Sequence, residues 1–284
     1  MRAVWVAYGA ALAVAAATIP EQPADTPIAA AFWADVAATL AIFACSWLYR
    51  NSSFYDAYWS AAPPLIGLYW WWNAAPGVAS PARAAIAFAL VLAWAVRLTW
   101  NWARGWQGLH HEDWRYLRLQ QQTGAAYWGV SLLGIHGMPT LIVFLGCLPL
   151  YPALAAGSRP FGALDVLACA VTGGAIWLEA RADQELLRFR REPRDSQAIL
   201  TTGLWAHSRH PNYLGEMGFW WGLFLFGWSA DPDAWWTGVG AVAITAMFRF
   251  VSLPIIEQRM NERRPGYAAW SASTPLVVPR LGHR

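Results

Sequence analysis

The sequence predicts an all-α protein that crosses a membrane several times as a bundle of helices. Hydrophobic residues fill 57% of its 284 positions and charged residues only 13%, against about 25% in an average soluble domain. Several apolar runs reach the roughly 17–20 residues that a helix needs to cross a bilayer. Many of the 21 tryptophans stand near the ends of these runs, where indole rings can lie in lipid and donate to water. We therefore expect one integral-membrane domain over residues 1–284.

Eight apolar segments predict the helices in order. The first follows Arg2 and is also typical of a signal peptide, but no clear cleavage site precedes Pro20, so we keep it as a helix. In the fifth, His136 lies in the sequence GIHGMP, where we expect a kink, and Pro254 predicts another kink in the eighth. The segments span residues 3–19, 29–49, 58–72, 84–102, 125–151, 161–186, 213–228 and 234–256.

The arginines indicate the orientation of these helices. The sequence contains no lysine, so all twenty of its basic residues are arginine. Membrane proteins place loops rich in basic residues on the cytoplasmic side. With eight crossings, both termini and the long loops 103–124 and 187–211 are then cytoplasmic, and only Arg83 and Arg159 lie outside. We expect any water-soluble ligand to bind from the cytoplasm.

Several other classes of site are disfavoured. A net charge of +3 is too small to indicate nucleic-acid binding, and single cysteines in apolar runs do not indicate disulfides or metal ligation. Residues 110–113 (HHED) could ligate a metal, but adjacent ligands on one short loop form a poor cage, so we expect no metal. Neither a GxGxxG nor a P-loop motif is present, so a nucleotide would have to be held between helices.

Ionisable residues inside the apolar segments mark the predicted site. Each costs about 2.5–3.5 kcal/mol at membrane depth and therefore needs a partner. These residues could simply pair with one another, Arg249 with Glu216 for instance, but the whole set beside an arginine-rich loop favours a ligand pocket. Spacing of four residues places them on shared helix faces: Glu179 with Asp183, Asn212 with Glu216, and Arg249 with Leu253 and Glu257.

One long string carries a family resemblance. The residues LTTGLWAHSRHPNYLGE at 200–216 resemble the C-terminal region of the steroid 5-alpha-reductase-like membrane enzymes, in their bacterial branch. Upstream strings at 50–59, 101–106 and 112–116 and the pattern Glu179…Ala182-Asp183 agree with this branch. The resemblance covers about residues 47–284 and implies seven helices, so residues 1–27 would add an extra N-terminal helix. It also implies a bacterial inner-membrane location, with the cofactor site on the cytoplasmic side. We expect a monomer.

The resemblance implies an oxidoreductase that uses NADPH. Its substrate would be an enone lipid, such as a 3-oxo-4-ene steroid reduced at C5, with hydride transferred to the beta carbon. Chemistry alone suggests arginines of the loop that follows the sixth segment, Arg188 and Arg191 first among them, for the phosphates, since guanidinium forks suit phosphate. The remaining expected cofactor contacts are Asp183, Arg209, His210, Asn212, Tyr213, Glu216, Arg249 and Glu257.

The catalytic acid departs from the family pattern. The family's steroid enzymes polarise the substrate carbonyl with a glutamate and a tyrosine, whereas Trp94 and Arg97 stand near the expected tyrosine and the third segment has no glutamate. Asp56, with Tyr55 or Tyr58 beside it, is the nearest substitute.

Two alternatives stay open. An S-adenosylmethionine-dependent membrane methyltransferase of the isoprenylcysteine or phospholipid type shares the Arg-His-Pro-x-Tyr joint, although the string EDWRY at 112–116 argues against it. A transporter or structural membrane protein would need the polar stripes only as interhelical pairs.

Overall fold

A computed structural model of the chain describes residues 1–21, 26–193, 195 and 197–279. These residues form helices and no strand, which confirms the predicted all-α membrane bundle. Five of the helices in the described residues are long and apolar enough to cross a membrane. They are α2 (Pro27–Leu48), α4 (Pro81–Gly105), α5 (Trp114–Ala156), α6 (Ala163–Arg191) and α8 (Pro232–Arg263).

Three further helices match the remaining predicted segments, and a short one follows them. They are shorter or less apolar than the five: α1 (Arg2–Thr18), α3 (Tyr58–Trp72) and α7 (Pro211–Ala230). The last helix is α9 (Tyr267–Ser273). Helix α5 begins eleven residues before the predicted segment, because the Asp113 side chain caps it by accepting from the backbone N–H of Arg115.

Helix α7 lies at the centre of the bundle, with twelve of its twenty residues buried. Glycines allow it to approach its neighbours closely. A Cβ on Gly215 would lie 2.6 Å from the Cβ of Glu179, and a Cβ on Gly222 would lie 2.1 Å from the hydroxyl of Thr172. Both contacts are made with α6, so α6 and α7 form a closely packed antiparallel pair.

One end of the bundle is held by a buried ion pair. Arg83 of α4 donates to both carboxylate oxygens of Asp165 of α6, at 2.7 and 2.9 Å, and to the backbone carbonyls of Arg159 and Pro160. Both side chains are fully buried. Because these donors and acceptors are matched, the pair avoids the large penalty of an isolated buried charge.

The opposite end carries most of the connecting segments, and we call it the loop-rich end. It comprises the turn Ser52–Tyr55, residues 106–113, the connection between α6 and α7, and α9. Its segments are bound to each other: the amide of Asn51 donates to the carbonyls of Leu109 and His111, and Glu112 accepts from the N–H of Ser52. The HHED string thus serves as part of this support.

Two wide, π-helical turns lie within helices, at Ser131–Gly137 in α5 and Phe248–Ser252 in α8, and a third, at Pro152–Ala156, forms the end of α5. In the first, buried His136 contacts the carbonyl of Ser131 at 3.0 Å and the hydroxyl of Ser46 at 3.1 Å, as expected for a histidine that satisfies an irregular turn. The second shifts the register of α8. Arg249 is exposed whereas Leu253 is fully buried, so the predicted polar stripe through Arg249, Leu253 and Glu257 is wrong.

Candidate functional site

A cavity of about 940 Å³ occupies the loop-rich half of the bundle. Its size lies within the range of about 300–1,000 Å³ that is usual for small-molecule sites. Six helices, α3 to α8, and the turn before α3 contribute to its walls, which are polar on the side of α6 and α7 and apolar between α5 and α8. Its polar lining includes Tyr55, Asp56, Asp113, Arg115, Tyr116, Glu179, Asp183, Asn212, Tyr213 and Glu216.

Arg97 organises the carboxylates of the polar wall. Its guanidinium group lies 2.5 Å from Glu179 and 2.9 Å from Asp183, so one cation bridges two carboxylates of the same face of α6. Asn101 adds a hydrogen bond to Asp183 at 3.2 Å. The side chain of Arg97 is only 14% exposed, and the three charges therefore interact largely away from water.

Glu216 is held by indole rings rather than by an arginine. Its two carboxylate oxygens accept hydrogen bonds from the indole N–H groups of Trp94 and Trp220, both at 2.9 Å. Trp94 in turn stacks on Phe219 with 4.4 Å between ring centroids. The alternative in which Arg249 pairs with Glu216 is therefore wrong, and the carboxylate borders the cavity without a direct cationic partner among the described residues.

Asn212 presents an unsatisfied acceptor at the cavity. Its amide nitrogen lies 3.5 Å from Asp183, while its side-chain oxygen is buried and accepts no hydrogen bond within the described part of the chain. A buried polar atom without a partner costs about 1–3 kcal/mol. The neighbouring Tyr213 ring packs edge-on against Phe248, with 5.0 Å between centroids. A ligand with a hydrogen-bond donor would satisfy the Asn212 oxygen.

An acid and two phenols stand on the other side of the cavity. Asp56 accepts a hydrogen bond of 2.7 Å from the hydroxyl of Tyr116. Burial raises the pKa of Asp56 from 3.8 to about 6, although the bond from Tyr116 opposes this shift. The guanidinium group of Arg115 donates to both carboxylate oxygens of Asp113, at 2.8 and 3.1 Å. The hydroxyl of Tyr55 lies 2.8 Å from the hydroxyl of Thr140. The sequence had shown Tyr116 only as part of the EDWRY string, with no role.

The apolar part of the cavity lies between α5 and α8. Both wide turns contribute to it, through Gly134 and Ile135 on α5 and through Phe248 and Val251 on α8. This part of the lining can contact hydrocarbon but offers few hydrogen-bonding groups. The cavity as a whole therefore suits a ligand set with one polar and one apolar component.

Several predicted site residues lie outside the cavity lining. Tyr58 donates a 2.6 Å hydrogen bond to Asp35 and packs towards α2, so of the two candidate tyrosines beside Asp56 only Tyr55 reaches the cavity. Arg249 is exposed, with its guanidinium group 5.5 Å from the Phe250 ring centroid. Arg188 and Arg191 are exposed at the end of α6, and Arg194 of the same loop lies outside the described residues.

Arg209, His210 and Glu257 form a separate cluster. Glu257 pairs with Arg209 and lies 2.6 Å from Nε2 of His210, and it accepts a 2.5 Å hydrogen bond from the hydroxyl of Tyr267. None of the four lines the cavity. Their contacts bind the connection before α7 to α8 and α9, which makes the cluster a support for the loop-rich end. Among the described residues, no group of His, Cys, Asp and Glu side chains could hold a metal ion.

Comparison with known proteins places most of the chain in one family. A family model described as "Protein of unknown function (DUF1295)" matches residues 42–274. An uncharacterized protein of Schizosaccharomyces pombe is 29% identical over 255 residues, which cover 82% of this chain and 74% of the relative. The search of solved structures finds no match.

Proposed function

The chain belongs to the DUF1295 family, which is related to the steroid 5-alpha-reductase-like proteins, and we propose that it is an NADPH-dependent reductase of an enone lipid. One observation carries this proposal. A single cavity joins the Asp183–Asn212–Glu216 wall to the Asp56–Tyr116 pair and to an apolar region between two helices. This combination suits a polar cofactor, a proton donor and a lipid-soluble substrate in contact with each other.

The polar wall fits the nicotinamide and ribose end of the cofactor. The free oxygen of Asn212 can accept from an amide N–H, and the carboxylates of Asp183 and Glu216 can accept from ribose hydroxyl groups. Bound NADPH would supply the hydride that reduces the beta carbon of the enone. The same carboxylates would repel phosphate groups, so the phosphates must lie elsewhere.

Asp56 and Tyr116 would act on the substrate carbonyl. When protonated, Asp56 can donate a hydrogen bond to the carbonyl oxygen, and Tyr116 holds the carboxyl group in place. A donor aimed at a developing enolate oxygen typically lowers a barrier by about 2.7–4 kcal/mol. Asp56 can then transfer its proton to the enolate and regain a proton from water. A 3-oxo-4-ene steroid, reduced at C5, is the substrate class that we propose to test first.

The loop-rich end would face the cytoplasm of a bacterial cell. Among the described arginines near helix ends and in connecting segments, Arg83 and Arg159 lie at the opposite end and the others lie at the loop-rich end. This distribution would expose the polar side of the cavity to cytoplasmic NADPH, while the apolar side lies within the inner membrane. We propose that the protein works in this way as a monomer.

Ligand binding and turnover by the purified protein test the proposal. We expect NADPH, but not S-adenosylmethionine, to raise its thermal stability in detergent, and we expect oxidation of NADPH to depend on an added enone. Asp56→Asn should remove turnover and retain NADPH binding, whereas Asp233→Asn, at an exposed position at the opposite end of the bundle, should alter neither. Stabilisation by S-adenosylmethionine instead would favour the methyltransferase alternative, and stabilisation by neither compound would favour a transporter or structural role.

A further inference from the structure

A second cavity, of about 310 Å³, adjoins the first at the loop-rich end. It lies between the beginning of α5 and the end of α8, and the two cavities share Trp114 and Arg118 as lining residues. Its full lining consists of Trp114, Leu117, Arg118, Gln121, Arg259, Glu262 and Arg263. Three of these seven side chains are arginines and only one is acidic.

The described residues neutralise only part of the positive charge of this second cavity. Glu262 lies 3.7 Å from Arg118, and both side chains are substantially exposed, at 51% and 36%, so this ion pair is weak. Arg259 and Arg263 have no ion-pair partner within the described ranges of the chain. Three guanidinium groups that face one small volume repel one another unless an anion lies between them.

Trp114 fixes the position of one of these cations. The guanidinium carbon of Arg259 lies 3.7 Å from the centroid of the Trp114 ring, a close cation–π contact. Stacking on the ring face leaves the N–H groups at the edge of the guanidinium free to donate. A guanidinium group that is held in this way presents a preorganised fork for two oxygen atoms of a phosphate.

We propose that Arg118, Arg259 and Arg263 form a phosphate-binding site. The main cavity cannot fill this role because its polar wall carries Glu179, Asp183 and Glu216. A site that adjoins this cavity can instead hold the phosphates of a ligand whose other end lies there. The assignment of this phosphate to NADPH, which carries a pyrophosphate and a 2′-phosphate, rests on the proposed function. A phospholipid headgroup offers the same chemistry.

The site can be tested without any assay of turnover. Inorganic pyrophosphate should raise the thermal stability of the purified protein in neutral detergent above that in chloride of equal ionic strength. We expect Arg259→Gln/Arg263→Gln to lose this stabilisation, and the matched pair Arg188→Gln/Arg191→Gln, on the exposed end of α6, to retain it. Arg263→Gln alone, at an exposed position, provides a milder variant if the double variant does not fold. Equal responses of the two double variants would overturn the proposal.

Two further measurements identify the source of the phosphate. If it belongs to the cofactor, Arg263→Gln should weaken NADPH binding by about tenfold or more and NADH binding less, because a charge-assisted hydrogen bond to the 2′-phosphate is lost. If it belongs to a lipid, the thermal stability of the wild-type protein should be higher in phosphatidylglycerol nanodiscs than in phosphatidylcholine nanodiscs. Arg263→Gln should then have the same stability in both. Binding of pyrophosphate without binding of NADPH would refute the proposed function and retain the phosphate site.

Discussion

Replacing Arg97 with glutamine tests whether the charges of the cavity wall depend on each other. The guanidinium group is the ion-pair partner of both Glu179 and Asp183, whose side chains are 6% and 26% exposed. Removing one partner of a buried ion pair typically costs about 3–5 kcal/mol, because the remaining charge is buried without compensation. We therefore expect Arg97→Gln to destabilise the protein by an amount in this range.

A second substitution separates this charge effect from a loss of packing. In Arg97→Gln/Glu179→Gln the more buried carboxylate is also neutral, so the double variant should be more stable than Arg97→Gln alone. Reversible unfolding in mixed micelles, monitored by tryptophan fluorescence, gives the free energy of unfolding of each variant. Equal stability of the single and the double variant would show that the guanidinium group contributes by packing and that the electrostatic reasoning is incorrect.

Three further predictions follow from the site and the fold. Asn212→Ala should weaken NADPH binding and leave the free energy of unfolding within about 1 kcal/mol of wild type, because the side-chain oxygen that is lost accepts no hydrogen bond from the described residues. A large loss of stability would contradict this prediction. Enone reduction should fall as the pH rises through about 6, because Asp56 has a raised pKa and donates only when it is protonated. If Asp56→Asn left the pH profile unchanged, this role of Asp56 would be excluded. Gly222→Ala should lower the free energy of unfolding by about 1–3 kcal/mol, because the new Cβ would clash with Thr172. The control Gly174→Ala, whose Cβ would meet no atom within 4 Å, should lower it less. Equal thermal stabilities of the two variants would refute the clash.

The sequence allowed the helices and half of the site to be predicted, because these depend on local patterns. Apolar runs located all eight predicted helical segments, and the spacing of Asn212 and Glu216 placed both side chains on one helix face that borders the cavity. The roles of Arg97 and Tyr116 could not be predicted in this way. Their partners, Asp183 and Asp56, belong to other segments and depend on how the helices cross.

The errors have identifiable physical causes. The sequence prediction placed Arg249 on the cavity face because residues four apart share one face of a regular α-helix. The wide turn at Phe248–Ser252 adds a residue to α8 and changes this register. Tyr58 and Tyr55 both stand near Asp56 in sequence, but only the latter precedes the start of α3 and reaches the cavity. The second cavity was missed because Arg118 and Arg259 come together only through the contact between α5 and α8.

The glycine contacts of α7 determine which side of the cavity can change shape. The α7 backbone already contacts α6 at Gly215 and Gly222 and cannot move closer to it. The cavity wall formed by this helix pair is therefore rigid. Widening the cavity for a bulky substrate therefore requires displacement of α5 or α8, the two helices whose hydrogen-bonding pattern is already irregular there. Under the proposed function, selection among lipids of different width would be determined by the flexibility of those two helices, and the polar residues on α6 and α7 would keep their positions during entry.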